Sequence, residues 1–296
     1  MTDTRFYGEL ASWWSLISPC SEYEGEATYL RTLFPSTADP KMTMLELGSG
    51  GGSNAFYFKR DFAMTLVDVS PQMLEVSAKL NPDCEHLHGD MRTLRLGRVF
   101  DTVFVHDAID YMTTESELQA ALQTAFDHCR VGGTTVFVPD ATMEIYEPDC
   151  DVGGSDGDDG RAVRFMSWTH DPDPTDSWIA TEYAFVLKSS SGSVTTVHET
   201  HRSGLFDRAT WMRKLAEVGF DARHIVEITD EDHTPRDVFI ATRSAASLVP
   251  QPPSVRERYG RYRIGKFWIG PSAIEVGAIQ ESDAAQDSER DEYSGT

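Results

Sequence analysis

The sequence predicts an α/β fold on a parallel sheet, and three observations carry the prediction. Between Met42 and Pro139 short apolar runs alternate with helix-like segments, the order that builds parallel strands joined by crossover helices. The first run ends in an acid and a glycine-dense turn, Met42-Thr-Met-Leu-Glu46-Leu-Gly48-Ser49-Gly50-Gly-Gly52. The second, Met64-Thr-Leu-Val-Asp68, ends in another acid. Strand, glycine turn, helix, strand and acid, in that order, form a site for a nucleoside. Glycines let a ligand reach the backbone, the helix start offers free N–H groups, and the closing acid accepts from both ribose hydroxyls.

The other elements follow from local signals. Residues 5–34 read as helical with a break at Pro19, and are dense in Phe6, Tyr7, Leu10, Trp13, Trp14, Leu16 and Ile17. Ser70-Pro71 supplies an N-cap and a first-turn proline, and Asn81-Pro82 ends that helix. Thr114-Glu-Ser-Glu117 is a capping box, with Gly132 expected just past the helix end. Asp207 caps a helix running to Val218 and closed by Gly219; Phe220-Asp-Ala-Arg-His-Ile-Val-Glu and Asp237-Val-Phe-Ile-Ala-Thr-Arg243 supply two final strands. Residues 140–206 form an insertion before that helix. Its glycine loop at 153–160 is acidic but lacks the ligand spacing and closing Glu of an EF-hand. Three stretches rich in β-branched and aromatic residues follow (161–169, 178–188 and 194–204), with a hairpin turn at Ser189-Ser-Ser-Gly192-Ser. They predict a three-stranded antiparallel layer. Beyond residue 243, Pro250-Gln-Pro-Pro253 reads as a stiff linker, 256–268 as a basic, aromatic stretch, and 280–296 as an acidic disordered tail. The expected division is thus a helical cap at 1–39, a main domain at 40–243 and an extension at 244–296.

The glycine turn departs from the dinucleotide fingerprint, since Ser53 stands at the third glycine position and Glu46 precedes the first. The pattern Glu46-x-Gly48-x-Gly50-x-Gly52 instead resembles motif I of class I S-adenosylmethionine-dependent methyltransferases. Val67-Asp68-Val69-Ser-Pro-Gln-Met73-Leu resembles their ribose-binding motif, Gly89-Asp90-Met91 their adenine motif, Phe100–His106-Asp107 their fourth strand and its loop, and Gly132–Pro139 their fifth strand. In order, these motifs cover residues 40–243. The resemblance implies a Rossmann-like seven-stranded sheet with a final antiparallel strand, the 140–206 insertion roofing the substrate pocket, and S-adenosyl-L-methionine as cofactor. It implies that Glu46 helps hold the methionyl amino end, that Gly48, Ser49 and Gly50 form the turn beneath the cofactor, and that Asp68 takes the ribose hydroxyls beside Val69 and Met73. Asp90 then accepts from adenine N6, with the Met91 N–H near the ring. The cofactor carries a sulfonium cation and no phosphate, so acids around the turn suit it better than they suit a pyrophosphate. Tyr7, Trp13, Trp14 and Tyr23 are available to the sulfonium, because aromatic faces attract cations; Tyr7 and Trp14 are the candidate contacts, with core packing as the alternative for each.

Ligands in open α/β sheets sit beyond the carboxyl ends of the strands. That rule makes His106, Asp107, Asp110 and Tyr111 the acceptor-side candidates, with Asp140 at the pocket edge. His106 is a candidate base or cofactor contact, and Asp107 a candidate holder of a substrate amine or hydroxyl; the alternative is that both only shape the cofactor loop. In the insertion, His198 and His201 alternate to opposite faces of a strand and cannot share a metal. Only Arg161, Arg164 and Arg202 stand in the roof to meet phosphates. The 296 residues carry a net charge of −22, which repels nucleic acid and anionic membranes. No apolar run approaches the ~20 residues that span a bilayer. Met1-Thr-Asp-Thr-Arg lacks the marks of a secretory signal, and Cys20, Cys84, Cys129 and Cys150 are scattered, so a cytoplasmic, metal-free protein with reduced thiols is expected. The expected function is methylation of an N or O atom of a small molecule, resembling enzymes that modify amino sugars and other secondary metabolites, with a homodimer possible. The alternatives are a methyltransferase acting on a peptide, including its own tail, and a non-catalytic cofactor-binding protein. A nicotinamide oxidoreductase is opposed by Ser53, Glu46 and the Asp90 motif.

Overall fold

The computed structural model describes residues 5–35, 41–227 and 235–245, and two short strands at 262–264 and 267–269. The chain divides into two units, Met1–Ser247 and Leu248–Thr296. In the first, α1 (Trp14–Ile17) and α2 (Glu24–Arg31) are separated by Pro19 and interspersed with single 3-10 turns. Then come β1 (Met42–Leu47), α3 (Ser53–Phe58), β2 (Phe62–Asp68), α4 (Pro71–Leu80), β3 (Glu85–His88), β4 (Phe100–Val105), α5 (Glu115–His128) and β5 (Cys129–Phe137). The insertion contributes β6 (Asp149–Gly153), β7 (Ala162–His170), β8 (Trp178–Lys188) and β9 (Val194–Gly204). The chain returns through α6 (Arg208–Val218), β10 (Phe220–Glu227) and β11 (Arg236–Arg243).

Seven strands form one sheet in the order β10-β11-β5-β4-β1-β2-β3, with β11 antiparallel to both neighbours. The expected architecture, final antiparallel strand included, is present. Alternation along the central strands explains why the sheet is covered on both faces. Leu45, Leu47, Val103, Val105, Phe137, Phe239 and Ala241 face α5 and α6, where Trp211 stacks on Phe239 at 4.7 Å. Met44, Leu66, Phe104, Val136, Val238 and Ile240 face α2 and α3. Each fully buried Leu, Val or Phe contributes about 1.5–3 kcal/mol, so these two layers set the position of the strand ends that build the site.

The caps at Ser70, Thr114 and Asp207 form as expected, each side chain accepting the N–H three residues on. Two expectations change. Helix α5 ends at His128, and Gly132 (φ 74°) lies inside β5, between Cys129 paired with Phe100 and Thr134 paired with Thr102, where the register with β4 shifts. The insertion sheet has four strands, not three, in the order β6-β7-β8-β9. The extra strand, Asp149-Cys-Asp-Val-Gly153, has little β propensity of its own and is held at the edge by pairing with β7. One face of this sheet packs Val163, Phe185, Leu187 and Val197 against Phe6, Leu10, Leu16 and Ile17 of the N-terminal segment. The second unit contains an antiparallel hairpin, β12 (Tyr262–Ile264) with β13 (Phe267–Ile269). The linker at 250–253, the tail at 280–296 and most of the basic stretch lie outside the described residues.

Candidate active site

The turn after β1 is pulled under the sheet by two bonds, Gly48 N and Ser49 N donating to Val67 O at 2.8 and 2.9 Å. Gly48 has φ 75°, and a Cβ there would collide with Ala108 Cβ and Met91 Cε. Only glycine lets the turn pass so close to the loop after β4. Asp68, ending β2, secures the same turn: Oδ2 accepts from Gly50 N and Oδ1 from Ser70 N, both at 2.8 Å. Burial pushes its carboxyl up, against the pull of those two donors. Above the turn lies a cavity of about 260 Å³ lined by Tyr7, Gly8, Gly48, Gly50, Asp68, Val69, Ser70, Gln72, Asp90, Met91, Ala108, Tyr111 and Met112, among others. Asp90 is gripped by the Arg92 guanidinium, Nη2 to Oδ2 at 2.6 Å, which holds its carboxyl below the usual range. A carboxylate oxygen has two acceptor sites, so Asp90 still accepts from the cavity side. Met73 is fully buried under the glycine turn and does not line the cavity.

A second, smaller cavity continues past Gly48 and Gly50 and is lined by Trp14, Tyr23, Glu46, Ser49, Asn54, His106 and Asp107, among others. Four buried polar atoms here have no partner: Glu46 Oε2, Asn54 Oδ1, Ser49 Oγ and Trp14 Nε1. Burial raises the Glu46 carboxyl to about 8. One unpaired acid beside two unpaired donors is the complement of a zwitterion, an ammonium with a carboxylate.

His106 is enclosed by acids. Its Nε2 lies 2.5 Å from Glu26 Oε1 and its Nδ1 3.3 Å from Asp107 Oδ1. Burial alone would lower its pKa, but Asp107 and Glu26 outweigh burial and hold it well above the ordinary value. His106, a candidate base or cofactor contact by its position after β4, is thus held toward its charged form between two carboxylates. Burial would raise the Glu26 carboxyl, yet His106 and Arg236 bring it down to about 2. Beyond His106, Asp140 N donates to Asp110 Oδ2 at 2.7 Å. Burial, with the charges of Asp140 and Asp107, raises Asp110 well above its usual range, and burial, with the charges of Asp107 and Glu26, raises Asp140 to about 6. Tyr111 Oη lies 2.7 Å from Tyr7 Oη and 2.8 Å from His201 Nδ1. His201 Nε2 lies 2.8 Å from Glu199 Oε1. His198 points away, to Glu182, as strand alternation requires. Among the described residues no acid, His and Cys side chains gather as a metal site.

Residues 44–133 match the model of a methyltransferase domain family. The dTDP-3-amino-3,6-dideoxy-α-D-glucopyranose N,N-dimethyltransferase of Streptomyces fradiae is 26% identical over 219 residues, 72% of this chain and 84% of that protein. A dTDP-3-amino-3,4,6-trideoxy-α-D-glucopyranose N,N-dimethyltransferase of Streptomyces venezuelae is 32% identical over 120 residues, 40% of this chain and about half (51%) of its own length. The chain is a class I S-adenosylmethionine-dependent methyltransferase. Its fold is also that of Streptomyces venezuelae DesVI (TM-score 0.65, 24% identity, 75% of this chain and 92% of that one). The cofactor-bound amino pentose methyltransferase CalS10 of Micromonospora echinaspora shares it as well (TM-score 0.59, 23% identity, 76% and 91%).

The methyltransferase uses S-adenosyl-L-methionine, and the orphaned atoms of the second cavity fit that molecule's amino-acid end. Of the residues singled out in the sequence, Tyr7, Gly48, Gly50, Asp68, Val69, Asp90, Met91 and Tyr111 share the larger cavity; Trp14, Glu46, Ser49, His106 and Asp107 share the smaller one. Sequence reading missed Glu26, Arg236 and Glu199. Glu26 meets His106 across 80 residues of chain and Arg236 across 210, separations that no local motif reveals. Among the described residues, no helix of the methyltransferase is long and apolar enough to cross a membrane.

Proposed function

We propose that this methyltransferase methylates the amine of a small molecule of the amino-sugar class, in secondary metabolism. The observation that carries the reading is the crowd of carboxyls at the ends of β4 and β5. Asp107, Asp110 and Asp140 repel one another beside the smaller cavity, which Asp107 lines, and an ammonium brought to that edge relieves the repulsion. Among the described residues no Lys or Arg lines either cavity. The relatives named above, which act on amino sugars, support the same choice.

Glu46 is assigned to the cofactor's amino group, Ser49 Oγ and Trp14 Nε1 to its carboxylate, Asp68 to the ribose, and Asp90 with Met91 to the adenine. Val69 and Tyr7 wall the same cavity, and Met73 backs the turn from beneath. The bound cofactor supplies a methyl already activated by its sulfonium. The protein's task is therefore to align the acceptor and exclude water, which is worth several kcal/mol when the geometry is right. Asp107 and Asp140 attract the amine, Tyr7 and Tyr111 bound its position, and the insertion closes over it. The free thiols at Cys20, Cys84, Cys129 and Cys150 suit a reducing compartment and support a cytoplasmic setting.

The test is transfer of labelled methyl from the cofactor to a panel: dTDP-3-amino-3,6-dideoxy-α-D-glucopyranose, nucleotide-free amino sugars, and phenol and carboxylate acceptors. The nucleotide-free members matter because Arg161 binds Asp159 and lies over Trp13, Arg164 binds Asp156, and Arg202 lies over Trp178. The roof arginines are thus already engaged. Label on amines alone is expected; label on phenols or carboxylates alone overturns the reading.

A further inference from the structure

We propose that Tyr111, His201 and Glu199 form a relay that takes the proton from the acceptor's ammonium group. The inference rests on the amine acceptor proposed above. An amine in water near neutral pH is mostly protonated and has no lone pair to attack with. After one transfer the nitrogen again carries a proton that must leave before a second. The cleft therefore needs a base with spare capacity. His106 is already an imidazolium between Glu26 and Asp107, and Asp107 is its counter-charge.

Two separate parts of the chain supply the relay. Tyr111 stands on the cavity wall after β4, beside Tyr7 from the N-terminal segment. His201 and Glu199 come from β9. A Cβ at Gly204 would strike the Met112 carbonyl oxygen, so glycine there lets β9 run against the loop that carries Tyr111. The His201 side chain is 3% exposed and that of Glu199 10%. Phe6, Tyr7 and Tyr183 pack around the imidazole at 5.0–5.9 Å between ring centres. Glu199 Oε2 accepts from Phe6 N at 3.1 Å, so the carboxylate is fixed and Oε1 is left for Nε2.

The Tyr111 hydroxyl donates its one proton to Tyr7 Oη and has His201 Nδ1 as its second partner, so the relay begins with that proton turning from Tyr7 to Nδ1. With Nε2–H donating to Glu199, Nδ1 is the acceptor. Burial lowers the His201 pKa against the pull of Glu199, so the imidazole is neutral and ready to receive. Burial raises both tyrosine hydroxyls well above their ordinary value, so they pass a proton without keeping the charge. In the step, R–NH3+ gives a proton to Tyr111 Oη while the hydroxyl's own proton moves to Nδ1. The N–H electron pair stays on nitrogen as the lone pair, and the new imidazolium is steadied by Glu199. Once the imidazolium has lost its proton to solvent and His201 is neutral again, the product R–NH2+–CH3 gives up its proton by the same path, which permits a second methyl.

Glu199→Gln is the decisive variant. Its amide oxygen still accepts from Phe6 N, but its N–H2 donates to Nε2. The imidazole proton is thereby forced to Nδ1, where it blocks Tyr111. With an amino sugar methylated by the wild type, kcat should fall about 100-fold near pH 7 and product should stall at the monomethyl stage. The deficit should shrink as pH rises and solvent deprotonates the amine, while affinity for S-adenosylhomocysteine stays unchanged. Tyr111→Phe should show the same pH-dependent deficit and serves if Glu199→Gln fails to fold. A loss of equal size at every pH, or no loss, overturns the relay. Failure of the wild type to methylate any amine in the panel would instead overturn the amine reading.

Discussion

Glu26, on the N-terminal helix α2, hydrogen-bonds His106 at the tip of β4. The same Oε1 lies 2.5 Å from Arg236 Nη2, so one carboxylate balances two cations beside the smaller cavity. Glu26 titrates at about 2 in the fold, below its ordinary 4.5, so its contribution is complete above 4.5 and is lost as pH falls through about 2. His106 titrates well above its ordinary 6.5, so its contribution is complete below 6.5 and is lost as pH rises through the raised value. The pair is therefore fully effective between 4.5 and 6.5. Glu26→Gln should cost about 3 kcal/mol in that window, with the gap from wild type narrowing toward either extreme in urea titrations. A gap independent of pH would mean that the charges do not matter.

Glu46, raised to about 8, is largely protonated at neutral pH in the free protein. An ammonium placed against it drives ionisation, so binding should release close to one proton. Calorimetry with S-adenosylhomocysteine in buffers of different ionisation enthalpy measures that number directly. Glu46→Gln should abolish the release and weaken binding by about ten- to a hundred-fold, the value of a charge-assisted hydrogen bond. Equal heats in all buffers for the wild type would show that nothing ionises there.

Asp68 carries a structural duty in addition to its assigned ribose contact, since it pins Gly50 N and Ser70 N. Asp68→Ala should therefore weaken S-adenosylhomocysteine binding by at least about a hundred-fold and also lower stability by about 1–3 kcal/mol. Fluorescence titration and thermal melts read the two effects separately. Unchanged affinity would remove Asp68 from the ribose.

The outward face of the insertion sheet aligns Val152 with Met166, and Cys150 with Trp168. Val152, Met166, Trp168 and Val186 are all exposed there. A homodimer formed through this face follows as a proposal, because exposed apolar side chains gathered on one sheet face mark an association surface. Sedimentation velocity should give a dimer for the wild type and a monomer for Trp168→Glu. A monomeric wild type would end the proposal.

Sequence legibility followed chain distance. Gly48, Gly50 and Asp68 were readable because a glycine turn and a strand-ending acid are local patterns, and the periodicity of β1, β2 and β4 fixed the sheet around them. The fourth insertion strand escaped because Asp149-Cys-Asp-Val-Gly153 is a strand only through its neighbour. The charge state of His106 escaped because position alone does not reveal Glu26, 80 residues away. His201 was placed correctly on the opposite face from His198, but its partner Tyr111 lies 90 residues off.

The first turns of the chain are fastened at several points: Ser70 Oγ donates to Tyr7 O, Arg161 Nη1 to Ser12 O and Phe6 N to Glu199. Tyr7 and Gly8 are walls of one cavity and Trp14 of the other. The same residues that shut solvent out thus stand in the doorway for spent cofactor. Each cycle must unlatch this segment, and where unlatching is slower than bond making, rapid-quench kinetics should show a burst of product in the first cycle.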